Sequence, residues 1–261
     1  MNILDKIIAD KRKEVELKKS VITFSQLENS KLFERKTISI RQKLKNSTSG
    51  IIAEFKRRSP SKSMINQTAN VGDVAVGYEK AGVAGMSVLT DLKYFGGSLE
   101  DLIIARASCD LPLLRKEFIV DEFQILEAKS SGADFILLIA AVLTKEEIKT
   151  FSELAKQLDL EVLLEVHNRE ELEKSIMPSL DLIGVNNRNL KTMEVDLGTS
   201  KSLAEFIPNE YVKISESGIS DVDSIKELKN YGFQGFLIGE NFMKTENPGE
   251  SARKFIQNLE R

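Results

Sequence analysis

Short apolar runs and helical stretches alternate along the chain from Gly50 onward. The apolar runs predict eight strands, at residues 51–56, 85–90, 112–116, 135–140, 160–166, 182–186, 211–216 and 235–239. Residues with apolar positions at helical spacing follow each run and predict helices at 71–81, 98–107, 122–131, 145–158, 169–176, 200–206, 221–230 and 249–259. Such alternation is typical of βα units around a parallel sheet.

Eight βα units in succession predict an α/β protein of the (β/α)8 TIM-barrel type. The length of 261 residues agrees with this fold, which typically takes about 250. A doubly wound open sheet is the alternative, but it usually has fewer units and a glycine-rich turn after its first strand. The sequence after the first predicted strand, R-R-S-P-S, is no such turn.

Residues 1–45 have a different pattern. Their first apolar residues have helical spacing, and the segment then becomes highly charged, which predicts an N-terminal helical extension with a solvated face. A basic anion-binding arm is the alternative, but Glu14 and Glu16 interrupt the positive charge. We therefore expect one domain over residues 1–261, with the extension at 1–45 and the barrel at 50–261.

Composition and charge favour a small molecule as the partner. A net charge of −3 creates no strong field for nucleic acid or an anionic membrane. Cys109 is the lone cysteine, so a reducing compartment is the simpler interpretation. No signal-peptide-like stretch is present, and the apolar run at 135–143 is too short to span a bilayer. We expect a cytoplasmic protein with no nucleic-acid or membrane partner.

The first predicted strand carries charge on one face. Alternation places Ile52, Glu54 and Lys56 on that face, whereas the other face is wholly apolar. Burying a carboxylate and an ammonium costs several kcal/mol per ion unless each finds a partner or ligand. The pair therefore suggests a site inside a barrel, and a solvated edge strand is the alternative.

Polar residues also end four further predicted strands. They are Lys116, Glu165, Asn186 with Arg188 just beyond it, and Glu216. The carboxyl ends of barrel strands meet at one rim, where the active site of such enzymes lies. Polarity normally returns at strand ends, but this many charged residues converging on one rim predict an active site.

Gly218 and Gly239 directly follow the seventh and eighth predicted strands. Backbone N–H groups in these two loops commonly bind phosphate. Glycine is also the usual residue at a tight turn, which is the alternative for each position. Together they predict a phosphate site.

We predict no metal site. His167 is the only histidine, and no second histidine or cysteine lies nearby, so a role in a loop or at a helix start is preferred. Carboxylates at the strand ends could bind a hard cation, but Lys56, Lys116 and Arg188 would oppose it.

Several longer stretches are specific enough to identify a resemblance. They are I-I-A-E-F-K-R-R-S-P-S, T-D-L-K-Y-F-G-G-S, P-L-L-R-K-E-F-I-V, L-L-E-V-H, I-G-V-N-N-R-N-L, S-E-S-G-I and F-L-I-G-E. Through them the chain resembles the indole-3-glycerol-phosphate synthase family nearly end to end. The resemblance implies cyclisation of 1-(2-carboxyphenylamino)-1-deoxyribulose 5-phosphate to indole-3-glycerol phosphate, with loss of CO₂ and water and without a cofactor.

The resemblance also implies roles for the residues at the rim. Lys116 matches the general acid of ring closure, and Glu165 matches the general base or proton acceptor. Glu54 and Lys56 match a pair that handles a later proton transfer and anchors substrate anions, and Asn186 matches a further polar contact counted with the catalytic residues.

Binding residues are implied in the same way. Matches to substrate contacts are Ser59 in the first loop, Phe95, Phe118 and Leu190 as apolar walls, Arg188 and Glu216. Matches to the phosphate loops are Ser217, Gly218, Gly239 and Glu240. The last would contribute its backbone N–H and point its carboxylate outward, since a carboxylate would repel phosphate.

Two other functions stay open. An isomerase barrel such as phosphoribosylanthranilate isomerase would share the phosphate loops but would not need Glu54, Lys56 and Lys116 together. A non-catalytic partner subunit would tolerate loss of that set, which is intact. Departures from the family pattern are small. Phe242 and Met243 stand where an apolar pair such as Leu-Met is common, and no catalytic position is lost. With its eighth predicted helix ending near Arg261, we expect no fused isomerase domain, and we expect a monomer.

Overall fold

The computed structural model describes residues 3–189 and 192–261. Within them, eight parallel strands pair in chain order, and β8 pairs with β1 to close a barrel. The strands are β1 Ile51–Phe55, β2 Gly85–Leu89, β3 Leu113–Lys116, β4 Phe135–Ile139, β5 Glu161–Val166, β6 Leu182–Asn186, β7 Val212–Glu216 and β8 Gly235–Ile238. The predicted TIM barrel is confirmed, and the open doubly wound sheet is excluded.

Helices surround the barrel and also cover its ends. They are α1 Ile3–Val21, α2 Phe24–Glu28, α3 Ile40–Lys45, α4 Val71–Ala81, α5 Leu92–Phe95, α6 Leu99–Ser108, α7 Phe123–Ser130, α8 Lys145–Gln157, α9 Arg169–Ser175, α10 Gly198–Leu203, α11 Val222–Asn230, α12 Glu240–Met243 and α13 Pro248–Leu259. The predicted helix at 200–206 is split, because α10 gives way to a 3₁₀ turn at Ala204–Phe206. The short helices α5 and α12 lie in βα loops and were not predicted.

Capping residues explain several of these boundaries. Asn70 accepts hydrogen bonds from the backbone N–H groups at the start of α4, and Gly82, with φ of 80°, ends that helix. Thr144 and Glu147 form a capping box at the start of α8. These signals are local, so the predicted boundaries lie close to the observed ones.

The strands separate two apolar cores. Residues such as Ala53 and Phe55 point outward and pack under the helices, whereas Ile52 belongs to the cluster inside the barrel. Two residues of α3, Ile40 and Leu44, join that inner cluster. The alternation predicted for the first strand is confirmed, and since β1 pairs with both β2 and β8, the edge-strand alternative is wrong.

The N-terminal helix α1 is held on the barrel through a buried lysine. Lys11 is only 2% exposed, and its Nζ lies 3.0 Å from Asp91, 3.2 Å from Glu117 and 2.8 Å from Glu14. Asp91 and Glu117 follow β2 and β3, at the carboxyl end of the barrel. The predicted helix is present, but its expected solvated face is only part of it, because a second face docks beside the strand ends.

No helix in the described residues is long and apolar enough to cross a membrane.

Candidate active site

A cavity of about 310 Å³ opens at the carboxyl ends of the strands. The predicted site residues that line it are Glu54, Lys56, Ser59, Phe95, Lys116, Phe118, Glu165, Asn186, Arg188, Glu216, Ser217, Gly218, Gly239 and Glu240. The remaining predicted residue, Leu190, lies outside the described residues. Side chains from five strands and their loops thus meet in one cavity of the size that small-molecule sites have.

The N-terminal helix adds an apolar roof that the sequence analysis missed. Ile3, Leu4 and Ile7 of α1 line the same cavity. Their helical spacing was visible in the sequence, but it gave no sign of what this face would cover.

At the end of β1, Glu54 and Lys56 form an ion pair inside the cavity. Lys56 Nζ lies 2.7 Å from Glu54 Oε1, and Ser87 Oγ donates a 3.4 Å hydrogen bond to Glu54 Oε2. Burial acts to raise the pKa of Glu54, but the charges of Lys56 and Lys116 outweigh it and lower that pKa. Glu54 is therefore ionised at neutral pH.

Lys116 of β3 lies between two carboxylates. Its Nζ is 2.6 Å from Glu216 Oε2 and 3.5 Å from Glu165 Oε2. Burial acts to lower the pKa of Lys116, but the carboxylates, with Glu216 first, outweigh it and raise that pKa. The ammonium therefore keeps its proton across the physiological pH range.

Glu216 occupies the least favourable position for a negative charge. Burial raises its pKa, and the nearby Glu165 adds to this effect, while Lys116 acts in the opposite direction. Its Oε1 is buried and has no hydrogen-bond partner within residues 3–189 and 192–261. Glu216 thus holds a proton more readily than an ordinary glutamate.

A glycine in the neighbouring strand makes room for Glu216. A Cβ added to Gly184 of β6 would overlap Glu216 Oε1. The sequence analysis missed Gly184, although a glycine inside a strand often marks such a close approach.

His167 lies between β5 and α9, as the sequence suggested, but its ring reaches the predicted base. Its Nδ1 is 3.1 Å from Glu171 Oε2, and its Nε2 is 3.5 Å from Glu165 Oε1. The sequence analysis assigned this ring no contact with the site.

Aromatic side chains form one wall of the cavity. The rings of Phe95 and Phe118 lie 5.9 Å apart at an interplanar angle of 40°. Together with the α1 roof, they provide an apolar surface next to the charged strand ends.

The loops after β7 and β8 form a cradle lined by backbone. Ser217 and Gly218 both have positive φ, at 68° and 80°. A Cβ on Gly218 would overlap Val195, and a Cβ on Gly239 would lie 2.6 Å from Glu54 Oε1. Both positions are therefore crowded, so the nearby atoms favour glycine there in addition to any requirement of a tight turn.

Glu240, at the start of the loop after β8, pairs with a lysine of the first loop. Its side chain is 43% exposed and pairs with Lys62 at 2.8 Å. The hydrogen bond from Lys62 is the main reason for a lowered pKa of Glu240, and the charges of Lys56 and Arg188 act in the same direction. Three cations thus lie close enough to Glu240 to act on its carboxylate.

Two loops at the rim are fixed by their own hydrogen bonds. Asn186 Oδ1 accepts a 3.0 Å hydrogen bond from the Arg188 backbone, and Arg188 Nη1 donates to Met193 O at 2.9 Å. Ser59 exchanges two backbone hydrogen bonds with Lys62, of 2.9 and 3.0 Å.

In the described part of the chain, no group of three or more His, Cys, Asp or Glu residues has the geometry to hold a metal ion.

Proteins with known names are similar in sequence to this chain along nearly its whole length. A protein from Bacteroides thetaiotaomicron named indole-3-glycerol phosphate synthase is 48% identical over 259 residues, covering 99% of both chains. One of the same name from Aliarcobacter butzleri is 42% identical, covering 98% of this chain and 99% of its own.

Solved structures with low sequence identity show the fold alone. KGPDC from Streptococcus mutans has a TM-score of 0.62 at 16% identity, covering 82% of this chain and 99% of its own. Thiamine phosphate pyrophosphorylase from Pyrococcus furiosus has a TM-score of 0.60 at 16% identity, covering 85% and 98%.

A family model described as indole-3-glycerol phosphate synthase matches residues 4–255, which include α1 from Leu4 onward, all eight strands and every predicted site residue. With this match and the relatives above, the chain belongs to the indole-3-glycerol phosphate synthase family.

Proposed function

We propose that this protein closes the indole ring of 1-(2-carboxyphenylamino)-1-deoxyribulose 5-phosphate, with loss of CO₂ and water. The observation that carries the proposal is Lys116, whose part-buried ammonium is held between Glu165 and Glu216 in a cavity that also has an apolar wall and a cradle for an anion. A substrate with an aryl carboxylate at one end and a phosphate at the other has an aromatic ring for the apolar wall and an anion for the cradle.

Substrate binding uses the two ends of the cavity. The phosphate lies at the backbone N–H groups of the Ser217–Gly218 and Gly239–Glu240 loops, where Lys56, Lys62 and Arg188 add positive charge. The aryl ring packs on Phe95 and Phe118 beneath the α1 roof. In this arrangement, the sugar-derived part of the substrate extends between Lys116 and the pair of Glu54 and Lys56.

Ring closure begins with Lys116. The ring carbon that carries the carboxylate forms a bond with the substrate carbonyl carbon, and the carbonyl oxygen takes a proton from the Lys116 ammonium. The bond to CO₂ then breaks, and its electron pair restores the aromatic ring. A positioned acid of this kind contributes about 10²- to 10⁴-fold in rate.

Dehydration completes the indole. The new hydroxyl takes a proton from the Lys56 ammonium and leaves as water, while the carbon next to nitrogen loses a proton to Glu165. Glu165 then gives up this proton and solvent supplies one more, so both Lys56 and Lys116 are protonated again. Before decarboxylation Lys56 also attracts the substrate carboxylate, and Glu54, ionised beside it, positions the ammonium. An isomerase sharing the phosphate loops would have no use for an ammonium between two carboxylates.

The direct test is product formation. Purified protein mixed with the carboxyphenylamino substrate should produce the absorbance and fluorescence of an indole, with one CO₂ released per molecule. Absence of an indole signal with the folded protein would overturn the proposal.

We propose a cytoplasmic monomer as the working form. The buried free thiol of Cys109 is compatible with a reducing compartment. Light scattering on the purified protein tests the monomer, and a larger particle mass would contradict it.

A further inference from the structure

The only histidine of the chain lies directly against the proposed base. His167 is 12% exposed, and its Nε2 lies 3.5 Å from Glu165 Oε1. The other oxygen of Glu165, Oε2, lies 3.5 Å from Lys116 Nζ. Glu165 is thus bracketed by two nitrogen-containing side chains, one at each carboxylate oxygen.

Glu171 determines where the imidazole carries its proton. Its Oε2 accepts a 2.8 Å hydrogen bond from the His167 backbone N–H, and its Oε1 accepts a 2.9 Å bond from Asn168. Burial acts to raise the pKa of Glu171, but the bonds and charge of His167 outweigh it and lower that pKa. Glu171 is therefore an ionised acceptor, so His167 Nδ1, 3.1 Å away, must be the donor.

The Nδ1–H tautomer leaves Nε2 facing Glu165. Nε2 is buried and has no hydrogen-bond partner in the part of the chain that the structure describes. In the neutral ring, a lone pair would face a carboxylate. In the imidazolium, an N–H would face it instead, and the pair would attract.

Surrounding charges favour the imidazolium. Burial acts to lower the pKa of His167, but Glu171, Glu165 and Glu216 outweigh it and raise that pKa. These groups come from α9, β5 and β7, and Lys116 of β3 lies beyond Glu165.

We propose that His167 is a positioning residue for the base: an imidazolium, oriented by Glu171, whose Nε2–H faces Glu165 Oε1 and aims that carboxylate at the substrate. This inference rests on the proposed function. Lys116 gives up its proton during ring closure and then no longer offsets the charge of Glu165. His167 takes no part in that transfer, so it keeps Glu165 ready as a base for dehydration.

Two substitutions separate the two sides of the ring. In His167→Asn, the amide N–H can lie near the position of Nδ1 and keep the bond to Glu171, but no side-chain atom lies at the position of Nε2. In His167→Gln, a neutral N–H can lie near the position of Nε2 and keep contact with Glu165. If His167 acts through Glu165, His167→Asn should lower kcat roughly tenfold and change KM by less than about twofold. His167→Gln should retain more of kcat.

The pH profile distinguishes positioning from structural support. Without the imidazolium, Glu165 loses the positive charge beside its Oε1, so the acidic limb of kcat/KM in His167→Asn should move to higher pH. In a Glu165→Gln background, His167→Asn should cost little further activity. The proposal would be overturned if His167→Asn lost activity equally in the wild-type and Glu165→Gln backgrounds. It would also be overturned if His167→Gln lost more activity than His167→Asn and melted at a lower temperature.

A measurement without turnover keeps this inference distinct from the proposed function. Because His167 is the only histidine, its imidazole NMR signals need no assignment by mutation. We expect it to titrate above its ordinary value of 6.5 in the wild-type protein and at lower pH in Glu165→Gln. An identical titration in both proteins would refute the contact with Glu165, even if the wild-type enzyme makes indole product. Failure of the wild-type enzyme to make product would refute the proposed function and leave this titration result standing.

Discussion

The ammonium of Lys116 lies 2.6 Å from Glu216 Oε2, closer than to Glu165, although both carboxylates are buried. The resemblance implies that Glu216 contacts the substrate, and in the structure it is the nearer partner of the proposed acid. In the proposed mechanism Lys116 supplies a proton, and its ammonium also neutralises a buried carboxylate. Any substitution of Lys116 therefore affects both activity and stability, and the two effects have to be separated.

The first prediction concerns the two glycines of the cradle. Gly218→Ala should raise KM and weaken inhibition by free phosphate, because it crowds Val195 at the loop after β7. Gly239→Ala should lower kcat as well, because its Cβ would lie 2.6 Å from Glu54 Oε1 and displace that side chain. Steady-state kinetics with phosphate as a competitor measures both.

Gly82→Ala is the matched control for backbone strain. Gly82 has the same φ as Gly218, 80°, and nothing lies within 4 Å of an added Cβ. It should lower the melting temperature and leave the kinetics unchanged. Equal kinetics for Gly218→Ala and the control would mean that the phosphate binds elsewhere.

A second prediction tests the anchor of α1. Lys11→Met leaves Asp91 buried without the cation that Lys11 supplies and leaves Glu117 with only Arg115, 3.9 Å away, which should cost about 3–5 kcal/mol of unfolding free energy. It should also raise KM, because α1 roofs the cavity. Thermal melting and kinetics on one preparation check both effects.

Lys93→Met is the control for this variant, since Lys93 pairs with Asp10 at an exposed position. It should change stability by less than about 1 kcal/mol. If Lys11→Met and Lys93→Met have the same stability, α1 is held by its apolar contacts instead.

A third prediction concerns the pH dependence of stability. The pKa of Glu54 is lowered in the folded protein, so its ionisation stabilises the fold above the ordinary value of 4.5, and this contribution is lost as the pH falls. The pKa of Glu216 is raised, so its contribution has the opposite sign and is lost as the pH rises through the folded value.

The substitutions Glu54→Gln and Glu216→Gln should therefore respond to pH in opposite ways. Relative to wild type, Glu54→Gln should lose its disadvantage as the pH falls below 4.5, whereas Glu216→Gln should become relatively less stable as the pH falls. Chemical denaturation at several pH values measures this. Parallel curves for the two variants would refute the assigned directions.

Most of the barrel could be predicted because its signals are local. The apolar run of β6 and the capping residue Asn70 are each visible within a few residues of sequence. The strand-end rule of barrels then brings Glu54 and Lys116 to one rim without knowledge of any contact.

The contacts that were missed depend on residues far apart in the chain. Nothing near Lys11 indicates that Asp91 and Glu117 will enclose it, because the three meet only through the docking of α1. The place of Gly184 beside Glu216 likewise depends on the register of β6 and β7.

The contact of His167 with Glu165 did have a signal in the sequence. Residues two apart on a strand share a face, so extending the alternation of β5 by one residue places His167 on the side of Glu165. The strand ends at Val166, which is why the pattern was not carried further.

The most direct test of the account is a comparison of Lys116→Met with the double variant Lys116→Met/Glu216→Gln. The single variant should lose about 10²-fold or more in kcat, with a smaller change in KM, and should melt at a lower temperature because Glu216 loses its cation. The double variant should regain much of the melting temperature, since no charge remains at Glu216, but none of the activity, with Glu216→Gln alone as the control. That result would assign catalysis to the ammonium itself. Recovery of kcat together with stability, or a near-normal kcat in the single variant, would contradict the role of Lys116 as the acid of ring closure.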